Sequence, residues 1–214
     1  AALYTNLQTT SANLTDFNKL YGTTITATGS PSDTNRTVLF GVIGATGYVQ
    51  ATYLTALTKA AALYTNLQTT SANLTDFNAL FGSSITATGS PSDANRTILF
   101  GVAGDATYNQ TSFLNILPKA AALYTAIKGT AANLNDFNLL YATNIASTGA
   151  LSDPNRTALF GVAGDTLYVQ TTFLSALTKT ANLYRALQAD STHLANFNSF
   201  FGVSMAATGS PSDT

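Results

Sequence analysis

Residues Ser32–Lys59 read SDTNRTVLFGVIGATGYVQATYLTALTK, and this stretch decides how the rest of the chain is read. It returns at Ser92–Lys119 and again at Ser152–Lys179, sixty residues on each time and without gaps. The segments between keep the same step, and residues 1–18 and 61–78 are identical, AALYTNLQTTSANLTDFN. One unit is therefore written about three and a half times in 214 residues. Counted from Asn35, a half repeat, 1–34, precedes the repeats 35–94, 95–154 and 155–214. Such self-similarity marks arrays in which each unit contacts mainly its neighbours. Ala1 falls in mid-repeat and neither end carries a divergent polar cap. The expectation is a mature chain or a window on an array that continues, or whose missing neighbour another chain supplies.

Within a repeat the pattern predicts helix. Asp33 is expected as the N-cap of a first helix, because Pro154 follows the matching Asp153 and proline suits the first helical position. That helix passes Leu39 and Phe40 and stops near Gly44. A second begins after Thr46 or Gly47, with Tyr48, Tyr53, Leu54 and Leu57 on one face. A third covers Ala60 to about Gln68, its stripe being Leu63, Tyr64 and Leu67. Pro118 stands where the first copy has Thr58, and a proline inside a helix costs about 3 kcal/mol. The expectation is therefore a break near 57–59. A fourth short helix, 71–80, starts from Thr70 or Ser71, buries Leu74, Phe77 and Leu80, and ends at Gly82. The link 83–93 keeps one apolar position in every copy, Ile25, Ile85, Ile145 and Met205, which reads as an anchor for an extended loop. A short strand pairing between links is the alternative. The fold class is all-α: a tandem, solenoid-like helical array with a sixty-residue period and about four short helices per repeat, joined by a Thr/Ser/Gly/Pro-rich loop.

Composition removes several classes of function. Apolar residues make up 45% of the chain, and ten Tyr and twelve Phe supply a core. Only 9% of residues are charged, against roughly 25% for an average domain. Glu, Cys and Trp are absent, and Thr, Ser and Asn carry the polar surface. A net charge of −1 with scattered cations leaves no basic footprint for nucleic acid. A surface so weakly charged repels its own copies little, which favours association. Without Cys there is no disulfide framework and no thiolate metal site. The apolar run around Val38–Val49 is interrupted by Gly41, Gly44 and Gly47 and falls short of the ~20 residues that span a membrane.

Few residues invite chemistry. Asp33, Asn35 and Arg36 recur as Asp93, Asn95, Arg96 and as Asp153, Asn155, Arg156. Their oxygens suit calcium, but the ladder of alternating ligands closed by a Glu is missing. The structural reading pairs each arginine, which opposes the helix dipole at this position, with Asp16, Asp76 or Asp136 from a neighbouring helix. Asn35, Asn95, Asn155, Asn13, Asn73 and Asn109 each begin an N-glycosylation sequon, a triplet that arises freely in a Thr-rich chain. Asp105 and Asp165 suit a helix start, yet the first copy has Ala45 there. The glycine pair Gly41-x-x-Gly44 suggests close packing of two elements. His193, the single histidine, replaces an Asn of other copies and reads as a surface change. The aromatics at 4, 17, 21, 40, 48 and 53 have helical spacing and read as core; Tyr4 and Tyr48 are expected to find polar partners for their hydroxyls.

Catalysis needs a nucleophile, a base and a charge stabiliser brought together, and here every candidate set is copied sixty residues later. No enzyme, cofactor or metal is expected. The sequence points to a structural component of an extracellular filament or cell-surface polymer, built by stacking identical units and partnered by itself, without nucleic acid or membrane insertion. A repetitive stalk or adhesin binding a carbohydrate or host protein is the alternative. A membrane-active helical protein is suggested by the positive mean hydropathy of +0.14, but no Lys-rich amphipathic face supports it.

Overall fold

A computed structural model describes residues 2–211, and among them every regular element is an α-helix. In chain order these are α1 Ala2–Thr9, α2 Ser11–Tyr21, α3 Asp33–Ile43, α4 Gln50–Thr69, α5 Ser71–Phe81 and α6 Asp93–Ala103. They continue as α7 Gln110–Lys128, α8 Ala131–Tyr141, α9 Asp153–Gly164, α10 Gln170–Ala189 and α11 Ser191–Phe201. Contacts divide the chain into two compact units, Ala1–Ala79 with Ser83–Leu114, and Leu80–Gly82 with Asn115–Thr214.

In the first unit α1 and α2 pack as a hairpin, α2 lies along α4, and α4 also carries α6. The stripes that bring them together are apolar at helical spacing. Leu3 and Leu7 come from α1, Phe17 and Leu20 from α2, Leu57, Leu63, Tyr64 and Leu67 from α4, and Leu99 from α6, all buried. In the second unit α8 packs on α10, and α10 forms a hairpin with α11. Leu123, Tyr124, Phe137, Leu159, Leu177 and Tyr184 are buried there.

Three expectations about the elements need correction. The break near 57–59 is absent: α4, α7 and α10 each run unbroken through it, so three helices stand where four were expected. The face shared by Leu57, Ala60, Ala61, Leu63 and Tyr64 is buried as one stripe, and its burial outweighs the proline penalty. Pro118 itself lies on the exposed side of α7, where water can reach the turn that loses a hydrogen bond. The cap of the first helix is Ser32, one residue earlier than expected, its side chain accepting from the Asn35 N–H. Asp33 is then the first helical residue, and Pro154 still falls in the first turn, where no N–H is needed.

The links hold no strand among the described residues. Each is pinned by an asparagine instead. Asn78 accepts from the Ile85 N–H at 3.0 Å and donates to the Ile85 carbonyl at 2.9 Å, the two bonds a neighbouring strand would make. Asn18 does the same for Ile25, Asn138 for Ile145 and Asn198 for Met205. The isoleucine side chains are buried, and Met205 is half-buried. A second tie holds the glycine of each link: Tyr64 donates to the Gly89 carbonyl at 2.7 Å, with Tyr4, Tyr124 and Tyr184 making the matching bonds.

Candidate functional site

Arg36, Arg96 and Arg156 each pair within their own first turn, with Asp33, Asp93 and Asp153, and not with Asp16, Asp76 or Asp136. The i,i+3 spacing makes the near carboxylate the cheapest to reach. Asp16 and Asp76 have no arginine, and burial pushes both carboxyls above the usual range. In Asp16 the nearby Lys19 opposes that shift; Asp76 has alanine at the corresponding place. Asp136 is buried and accepts from Arg185 at 2.6 Å.

The free side of two of these arginines meets an aromatic ring. In the first unit the Arg96 guanidinium lies 4.2 Å from the centroid of Tyr21 and donates to the Leu20 carbonyl at 3.3 Å. Four residues on, Phe100 packs against Tyr53 and Tyr21, ring centroids 5.7 and 6.4 Å away. In the second unit Arg156 lies 4.8 Å from the Phe81 ring, and Phe160 lies 6.2 Å from it. Such pairs combine a cation–π attraction with buried aromatic area. Helix α3 differs. Its Arg36 side chain is 49% exposed, against 17% for Arg96 and 19% for Arg156, and Phe40 is 66% exposed. Phe40, expected in the core, is a surface residue.

The sequons divide by burial. Asn35, Asn95 and Asn155 are each 5% exposed. Asn95 and Asn155 accept from the N–H of Ser84 and Asn144, so these amides brace links and present no open face to a glycan. Asn13 and Asn73 are half-buried and donate to Asn6 and Asn66. Asn109 is exposed and caps α7 through the Ser112 N–H.

Tyr4 finds a partner and Tyr48 does not. The hydroxyls of Tyr48, Tyr108 and Tyr168 are buried without a hydrogen bond, because ring packing on Tyr53, Phe113 and Phe173 fixes their position. Burial pushes the Tyr108 phenol up to about 12. Asp105 caps its own turn through Thr107, which holds its carboxyl below the usual range. Asp165 accepts from the Leu167 N–H. His193 sits 3.1 Å from Asp190, whose carboxylate caps α11. Among the described residues no three potential ligands gather to hold a metal, and no helix is long and apolar enough to cross a membrane.

Two surface features of the second unit had no signal in the motifs. One is a groove of about 1050 Å³ bordered by Tyr141, Tyr168, Phe173, Leu167 and Pro211. The other is an apolar patch of Leu183, Phe200 and Phe201, which are 49%, 83% and 61% exposed. Each becomes visible only when exposure is compared at positions that the sequence makes equivalent. The asparagine clamp was also missed. Its trace was a mid-helix Asn kept in all four copies, a residue type that helices disfavour unless its side chain bonds elsewhere. No family model matches this sequence, and no curated protein or solved structure is significantly similar to it.

Proposed function

We propose that the chain is a structural repeat protein of an extracellular filament or cell-surface polymer, its sixty-residue units stacking as a solenoid-like array. One observation carries this reading, the unequal exposure of matched apolar positions. Leu63 and Leu123 are fully buried, whereas Leu183 is 49% exposed; Leu20 and Leu80 are fully buried, whereas Phe200 is 83% exposed. A position that is core in one copy and bare in another belongs to a surface that a like neighbour would cover. Exposed apolar patches of this kind mark association sites, and a heterologous contact that does not close on itself propagates as a fibre. The low charge leaves little repulsion to oppose it.

Negative-stain electron microscopy and light scattering over a concentration series test the reading. Filaments with an axial repeat matched to the sixty-residue unit support it. Discrete monomers at every concentration refute self-assembly by this chain, and glycan-array binding would then examine the adhesin alternative.

A further inference from the structure

We propose that the groove bordered by Tyr141, Phe173 and Leu167 is a docking site for one more helix of the Asp-x-Asn-Arg-Thr type, carried by a further repeat. The occupant rests on the stacking reading above; the geometry does not. Tyr141 and Phe173 stand 120 residues after Tyr21 and Tyr53, the two rings on which α6 sets Phe100 and, on the first of them, Arg96. The same kind of contact is made again by α9, whose Arg156 and Phe160 meet Phe81. Where α6 is seated, the space beside Tyr21 and Tyr53 is about 580 Å³ and is lined in part by Arg96 and Phe100 themselves. In the groove it is about 1050 Å³, and Tyr141 is 37% exposed whereas Tyr21 is half-buried. The platform is thus of the kind already filled elsewhere by one defined element.

Two further observations fit this occupant. Among the described residues the groove lining holds no lysine or arginine, and of its two carboxylates Asp153 is already paired with Arg156, which leaves Asp165 to face an incoming guanidinium. Pro211 borders the groove, and its counterpart Pro91 directly precedes Ser92, the cap of α6. Conversely, among the described residues α3 sets its arginine on no ring: Arg36 pairs with Asp33, donates to the Pro31 carbonyl and stays 49% exposed, and Phe40 is 66% exposed.

The test compares two lengthened forms of the full chain. One carries a copy of Asn95–Lys119 after Thr214, which keeps the sixty-residue phase; the other carries the same copy with Arg96→Ala and Phe100→Ala in the appended segment. The first is expected to melt several degrees above the second, with amide exchange slowed across Tyr141 and the 165–173 segment. Introducing Tyr141→Ser into both forms should erase most of the difference. Equal melting temperatures with unchanged exchange would overturn the proposal. Microscopy of the unextended chain keeps the two ideas separate. Filaments without an effect of the appended helix remove the docking site alone. A protected groove without filaments removes the polymer reading alone.

Discussion

At the scale of single residues the links depend on amide chemistry. Asn78 supplies both a donor and an acceptor to Ile85, so Asn78→Ala leaves a buried N–H and carbonyl without partners. It should lower stability by about 1–3 kcal/mol in urea unfolding. Tyr108→Phe should be neutral or stabilising by up to about 1 kcal/mol, because its buried hydroxyl has no partner to lose. Asp76 gives a pH signature. Its carboxyl titrates higher when folded than when unfolded, so the folded chain binds the extra proton and this group's contribution falls as pH rises from the unfolded value towards the folded one. Asp76→Asn should remove that decline from a plot of urea midpoint against pH between acid and neutral. The clamp was readable in principle as an Asn kept in an unfavourable place, whereas the Arg–Asp partners were not. Spacing shows that Arg36 can reach along its own helix as well as across to another; only coordinates choose.

Element by element, helix content and most helix ends followed from periodicity, glycine and cap residues. Gly22, Gly82 and Gly202 end α2, α5 and α11 in the left-handed conformation, and Ala142 takes it at φ 52° after α8. The expected break near 57–59 does not occur, and two expected helices are one in each of α4, α7 and α10. A proline in one copy counts for less than a buried stripe that recurs in the others, and that stripe is legible in the sequence as Leu57, Leu63 and Tyr64. Pro118 is then a local defect in α7. Pro118→Thr should restore a backbone hydrogen bond to the Leu114 carbonyl and stabilise by about 1–3 kcal/mol. Calorimetry should register roughly 2–4 °C for each kcal/mol in a chain of this size.

For the whole molecule, sequence disclosed that units recur, but gave no view of which apolar positions would be left bare. That depends on what lies beside each copy, a property the repeat text cannot carry because the text is nearly the same in every copy. Phe200→Asp tests the bare face directly. At 83% exposure the side chain contributes little to folding, so the melting temperature should hold while sedimentation shows weaker self-association. If association is unchanged, the patch is not the adhesive surface.

The patch of Leu183, Phe200 and Phe201 would also set a thermal sense for the proposed assembly. Contacts made by shedding water from carbon gain strength on warming from the cold and are largely indifferent to moderate salt. A material held together this way would loosen on ice and knit again at room temperature, the reverse of one cemented by ion pairs. Turbidity followed through repeated cooling and warming would read out that reversibility.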